Sequence, residues 1–225
     1  GTYTVIATNP SLSCTASMNG TAVVSINPDP QSFTVTGGGS YCSGGNGVST
    51  GLNGSQNNVS YQLVLNGTSF IGSPLIGTGN SLNFGLQATA GTYTIIATNQ
   101  SGCAIAMSGQ AIISVNPNPS SFNVTGGGNY CPGGTGVVIG LNGTQNSLQY
   151  QLVLNNSTVN TLSGTGSSIN FGNQLSAGTY TVIANNTVTG CTSSMIGNAV
   201  EQILARPFIY NVTGGGDYCS VPGTG

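Results

Sequence analysis

The clearest hydrophobic pattern in the chain is an alternation. Val59, Tyr61, Leu63 and Leu65 are apolar, with Ser60 and Gln62 between them. That period of two belongs to a strand with one face on a core and one in water. Leu148, Tyr150, Leu152 and Leu154 repeat it. Tyr93, Ile95 and Ala97 alternate with Thr92, Thr94 and Ile96, as Tyr3, Val5 and Ala7 do with Thr2, Thr4 and Ile6. Shorter alternations predict further strands at Phe33 and Val35, at Val48 to Leu52, at Leu82 and Phe84, and at Ala111, Ile113 and Val115. Gly44-Gly-Asn-Gly47, Asn53-Gly54 and Asn66-Gly67 separate them as turn signals. Seven or so short strands per unit, with turns every 8 to 12 residues, predict a Greek-key β-sandwich.

The pattern is periodic on a larger scale. Gly-Thr-Tyr-Thr-(Ile/Val)-Ile-Ala begins at Gly1, Gly91 and Gly178, and Thr-Gly-Gly-Gly-x-Tyr-Cys begins at Thr36, Thr125 and Thr213. A period of about 88 residues is too long for most solenoid repeats and fits tandem sandwich modules. The predicted fold class is therefore all-β: tandem immunoglobulin-like Greek-key sandwiches. Residues 1–27 read as the C-terminal part of a module, 31–116 and 121–205 as complete modules, and 207–225 as the N-terminal part of another. Asn27-Pro-Asp-Pro30 and Asn116-Pro-Asn-Pro119 read as short, stiff junctions, because proline fixes φ and restricts the residue before it. A Gly-Thr-Tyr strand start resembles a tyrosine corner, which makes Tyr3, Tyr93 and Tyr180 candidate structural residues, either as corners or as core aromatics.

Charge changes the picture most. The chain has one cation, Arg206, three anions, Asp29, Glu201 and Asp217, and no histidine; only 2% of its residues are charged, against about 25% in typical globular chains. One arginine cannot form the basic footprint that nucleic acid requires or the basic cluster that anionic membranes attract. No apolar run reaches the 18 or so residues of a spanning helix. Low net charge favours association, so neighbouring modules or other copies of the chain are the expected partners. Glu201 stands where the sister module has Ile113, and Arg206-Pro207 replaces Asn118-Pro119. The acid is read as marking an exposed edge or pairing with Arg206.

Little catalytic chemistry is available. Asp29, Glu201 and Asp217 lie at non-equivalent repeat positions, so no module offers the two facing carboxylates of a hydrolase. Histidine-dependent triads are impossible, and no cation stands ready to activate a cysteine. The Thr-Gly-Gly-Gly runs lack the lysine and helix of a phosphate cradle, and read as bends or bulges. The junctions carry one carboxylate, too few hard ligands for a calcium clamp. No cofactor or metal is expected, and the chain is read as a non-enzyme. Asn-x-Ser/Thr triplets, such as Asn66-Gly-Thr68, arise by chance in so Asn-rich a sequence.

Six cysteines, Cys14, Cys42, Cys103, Cys131, Cys191 and Cys219, recur in step with the repeat. Without a CxxC pair or histidine they fit disulfides and an oxidising, extracellular compartment better than zinc. Three pairings are distinct: within modules (Cys42–Cys103, Cys131–Cys191), across junctions in sequence (Cys14–Cys42, Cys103–Cys131, Cys191–Cys219), or between neighbouring modules end to end (Cys42–Cys191). The strand assignment puts Cys42 and Cys103 at opposite ends of a sandwich, too far for the ~6 Å Cα separation a bridge demands.

The order Cys-x-Gly-Gly, Tyr-Gln-Leu, Ala-Gly-Thr-Tyr-Thr-(Ile/Val)-Ile-Ala-x-Asn and Gly-Cys, which spans essentially the whole chain, resembles the immunoglobulin-like repeats of giant Bacteroidota surface proteins. Such repeats build gliding and attachment adhesins exported by the type IX route. The resemblance, with its count of one cysteine pair per module, favours the within-module disulfides. It also implies a cell-surface stalk, filament or adhesin, and supplies no ligand. The near-absence of charge and the lack of tryptophan where Tyr61-Gln62 and Tyr150-Gln151 stand depart from the family pattern. The expected function is structural and adhesive. The alternative is a glycan- or ice-binding module using flat Thr/Asn-rich faces, such as the row of Thr2, Thr4 and their equivalents.

Overall fold

The computed structural model describes residues 1–217, and among them every regular element is a strand. Residues 1–27 form two antiparallel pairs, β1 (Thr2–Tyr3) with β4 (Ala22–Val23) and β2 (Ile6–Thr8) with β3 (Thr15–Ser17). Their apolar side chains face no second sheet. Tyr3 is 61% exposed, whereas its repeat counterpart Tyr93 is 1% exposed.

The first sandwich contains β5 (Val35–Gly37), β6 (Gly39–Cys42), β7 (Val48–Leu52), β8 (Ser60–Leu65), β9 (Ser69–Ile76), β10 (Leu82–Gln87), β11 (Gly91–Thr98), β12 (Ala104–Ala106) and β13 (Ala111–Asn116). One sheet runs β10-β7-β5; the other runs β6-β13-β11-β8-β9, with β12 also on β11. β6 pairs with β13 in parallel and the other pairs are antiparallel. The arrangement is an immunoglobulin-like Greek key of seven strands, the first and last each in two pieces. The second sandwich repeats it with β14 (Val124–Gly126), β15 (Gly128–Tyr130), β16 (Val137–Leu141), β17 (Gln149–Leu154), β18 (Ser157–Ser163), β19 (Ile169–Gln174), β20 (Gly178–Asn185), β21 (Thr192–Ser194) and β22 (Ala199–Ile203). The chain divides into two compact units, Gly1–Pro117 and Asn118–Gly225.

The alternating residues fill the cores. Leu52, Tyr61, Leu63, Tyr93, Ile95 and Ile113 are at most 2% exposed in the first, and Leu141, Tyr150, Leu152, Tyr180 and Val182 at most 1% in the second. Burying each such side chain contributes about 1.5–3 kcal/mol. The deepest phenols keep a partner: Tyr61 Oη accepts from Gln56 N and Tyr150 Oη from Gln145 N, both at 2.8 Å. A buried hydroxyl left unpaired would be costly.

The repeated glycine triplet is a sheet switch. Gly37, Gly38 and Gly39 all have positive φ (93°, 85° and 135°). The chain leaves β7's sheet at Gly37 and joins β13 in the opposite sheet at Gly39. A Cβ on Gly37 would lie 2.0 Å from Ser49 O, and one on Gly126 would lie 1.9 Å from Val138 O. Only glycine combines that backbone with that approach.

Two sequence expectations are corrected. Asn53-Gly54 is not a tight hairpin turn, since neither residue has a left-handed φ. Asn53 Oδ1 accepts from Thr34 N at 2.8 Å, and Gly54 makes room for the Phe33 ring, 2.7 Å from where a Cβ would sit. Glu201 is not on an exposed edge: it is 1% exposed. Gln62 shows a finer adjustment. Its amide donates to Ile71 O at 2.9 Å, at the bulge where β8 and β9 shift register.

Candidate functional site

The ionisable groups are dispersed. Asp29 and Asp217 are exposed. Among the described residues no three His, Cys, Asp or Glu side chains come together. Arg206 does not pair with Glu201; its Nε donates to Pro132 O at 3.2 Å, and its Nη2 to the same oxygen. A hollow of about 280 Å³ between Pro28, Asn57, Val59 and Asn99 is lined by amides, hydroxyls and carbon. It holds no group able to move a proton near neutral pH.

Among the described residues Glu201 is the one buried acidic side chain. It stands opposite Gly128 on β15 and Gly178 on β20. Its Oε1 accepts from Val137 N at 3.3 Å, and its Oε2 has no partner. Two phenols lie within reach of its field. Burial pushes the Tyr180 phenol above its ordinary range, and the Glu201 charge adds to the effect; the same two causes raise Tyr130. The pattern signalled an anomaly at Glu201, because an acid replaced an apolar residue. It gave no depth.

The Gly-Thr-Tyr strand starts fix the entry to β11 and β20. Tyr93 Oη donates to Thr89 O at 2.8 Å and Tyr180 Oη to Ser176 O at 2.7 Å, each four residues back along the chain. This is the geometry of a tyrosine corner. Exposed Tyr3 is not part of a core. The Tyr-Cys end of each glycine phrase is tied down as well: Tyr41 Oη donates to Ala88 O, and Tyr130 Oη to Leu175 O.

The cysteines depart from the pairing that the family resemblance favoured. Cys42 and Cys191 are disulfide-bonded. Cys14, Cys103 and Cys131 are free thiols, so neither Cys42–Cys103 nor Cys131–Cys191 is formed, and Cys14–Cys42 and Cys103–Cys131 are not formed either. Cys219 lies outside the described residues. The physical reason is reach. Cys42 pairs with Asn116 at the end of β13, while Cys103 lies beyond Thr98, at the far end of β11. Ten strand positions separate those ends, seven along β11 and three along β13, or roughly 33 Å. A bridge spans about 6 Å between Cα atoms.

The threonine row of the sequence is only partly open. Thr92, Thr94 and Thr98 on β11 are half-buried, flanked by β8 and β13, and Ile96 interrupts them. In the second unit Thr179 and Thr181 are exposed, followed by half-buried Ile183.

No protein-family model matches the chain, and no curated protein sequence matches it. Similar solved structures include a Ca²⁺-stabilised adhesin with which an Antarctic bacterium binds ice (15% identity, TM-score 0.42, 91% of this chain, 57% of that one). Others are a 1.5-MDa bacterial ice-binding adhesin (12%, 0.41, 91% and 74%) and the fibronectin(III)-like modules of Clostridium thermocellum CbhA (12%, 0.38, 81% and 100%). The chain thus spans little more than half the length of the first of these.

Proposed function

We propose that this chain is a length of an extracellular structural and adhesive repeat protein, its sandwiches serving in series in a stalk or filament on a bacterial surface. The observation that carries the reading is the recurrence of one closed sandwich in succession, in a chain of which only 2% of the residues are charged. Each core is sealed by its own seven strands. Junction prolines limit bending, and Pro30 and Pro119 are themselves buried. Scarce charge leaves little repulsion to keep such modules apart. Disulfides raise resistance to unfolding and proteolysis. Bacteroidota origin and type IX export belong to this proposal through the family resemblance alone.

Antibody labelling of intact cells, viewed by electron microscopy, tests it. Label along surface fibres is expected; label inside the cell would overturn the reading. Glycan-array and ice-affinity assays of the same protein are expected to show no retention. Retention abolished by replacing Thr179 and Thr181 with valine would instead establish the alternative of a glycan- or ice-binding face.

A further inference from the structure

The strap that leads into each sandwich is fastened by side chains. In the first unit three of its backbone donors end on side-chain acceptors. Gln31 N donates to Gln56 Oε1 at 3.0 Å, Phe33 N to Met107 Sδ at 3.4 Å and Thr34 N to Asn53 Oδ1 at 2.8 Å. The second unit repeats the set. Ser120 N donates to Gln145 Oε1 at 2.7 Å, Phe122 N to Met195 Sδ at 3.3 Å and Asn123 N to Asn142 Oδ1 at 2.9 Å. Backbone bonds secure the carbonyls: Ser108 N donates to Phe33 O at 2.9 Å, and Ile196 N to Phe122 O at 2.8 Å.

The middle fastening differs in kind from its neighbours. A thioether is a weak acceptor, and of the three groups it alone is readily oxidised. The chain has three methionines, Met18, Met107 and Met195, each four residues after a cysteine of the repeat. Met107 and Met195 are 5% and 6% exposed, against 45% for Met18. Their backbones are pinned to the central strands: Met107 N donates to Ile95 O at 2.7 Å, and Met195 N to Val182 O at 2.8 Å.

We infer that Met107 and Met195 are redox latches, and that their oxidation by a peroxide unfastens the straps at 31–35 and 120–124. The inference goes beyond the stalk reading: it gives each sandwich a chemical control over its own first strand. A small peroxide reaches the buried sulfur when the strap opens locally. The sulfur attacks one oxygen of hydrogen peroxide, the O–O bond breaks and an S–O bond forms. The sulfur gives up two electrons, and the other oxygen leaves as water. The sulfoxide is polar and chiral. In one orientation its oxygen stands between the sulfur and the Phe N–H, which are already in contact. In the other it points into the apolar cluster that Met107 or Met195 shares with Phe33 or Phe122, where an unpaired oxygen is costly. The pinned methionine backbone cannot retreat, so the strap must move.

The test treats the chain with hydrogen peroxide, scores each methionine by mass spectrometry and follows amide hydrogen exchange by NMR. Oxidation of Met107 and Met195 should quicken exchange at Phe33 and Phe122 by about tenfold or more, while Ile95 and Val182 stay protected. Methionine sulfoxide reductases should restore the protection. In Met107→Leu/Met195→Leu, a swap that conserves volume, peroxide should leave strap exchange unchanged. Three results would overturn the inference: sulfoxides at both positions with unchanged strap exchange, equal quickening at Ile95 and Val182, or resistance of both sulfurs under conditions that fully oxidise Met18. None of them touches the stalk reading, which rests on where the protein is displayed.

Discussion

Glu201 and Ile113 occupy the same place in the two sandwiches. Ile113 is 2% exposed and faces Gly39 and Gly91; Glu201 is 1% exposed and faces Gly128 and Gly178. One core closes with a hydrocarbon at the point where the other holds a carboxyl group, whose Oε1 accepts one long hydrogen bond from Val137 N and which also acts on the Tyr180 phenol. The two units thus share a topology and differ in chemistry at this one core position.

Replacing Glu201 with isoleucine should stabilise the second unit by about 1–3 kcal/mol, because it removes a buried polar oxygen left without a hydrogen-bond partner. The reciprocal Ile113→Glu should cost the first unit on the order of 3–5 kcal/mol, the penalty of an uncompensated buried charge. Chemical denaturation of the 225-residue chain measures both. A Glu201→Ile protein that unfolds at lower denaturant would contradict the assignment.

Thr50 offers a smaller gain. It is 0% exposed and its Oγ1 has no partner, while its counterpart in the second unit is Ile139. Thr50→Val keeps the shape and removes the stranded hydroxyl, so a gain of about 1 kcal/mol is expected. An unchanged or lower denaturation midpoint would count against it.

The sheet switch predicts a contrast among glycines. Gly37→Ala and Gly126→Ala must place a methyl group against a carbonyl oxygen and hold it at positive φ. Each should cost about 3 kcal/mol or more. Gly44 also has positive φ (84°), but no atom lies within 4 Å of its Cβ position, so Gly44→Ala should cost about 1 kcal/mol. Equal losses at Gly37 and Gly44 would show that the close approach is irrelevant.

Alkaline pH should destabilise both units. Burial raises the Tyr93 and Tyr180 phenols above their ordinary 10.0, outweighing the hydrogen bonds to Thr89 and Ser176 that act the other way. An unfolded tyrosine loses its proton from about pH 10, while the folded phenols hold theirs to higher pH. Above pH 10 the native state therefore binds more protons, and stability falls as pH rises. The contribution is fully present below about pH 10 and is lost through the raised folded values. Denaturation midpoints measured from pH 8 to 12 check the slope, which Tyr93→Phe and Tyr180→Phe should flatten. Each should cost about 1 kcal/mol at neutral pH through its lost hydrogen bond.

Some strands were legible and others were not. β8, β11, β17 and β20 sit in sheet centres with one face on a core, so their side chains alternate cleanly. β9 and β18 gave no signal. β9 is an edge strand whose Phe70 is 69% exposed and whose Pro74 needs no ladder partner. With little of its surface buried, composition there is unconstrained. For the candidate sites, the sequence located all six cysteines and the anomalous acid, yet the pairing that the resemblance favoured is not the one formed.

The sequence by itself determined the module length, the strand faces, the aromatic core positions and a surface nearly without charge. These are local: a period of two or a recurring phrase is written residue by residue. Tertiary structure alone decided that Glu201 is buried, that three glycines carry the chain between sheets, and that Cys42 and Cys103 stand at opposite poles. Each of those depends on which distant strands lie side by side, and strand pairing across scores of residues leaves no period in the chain to read.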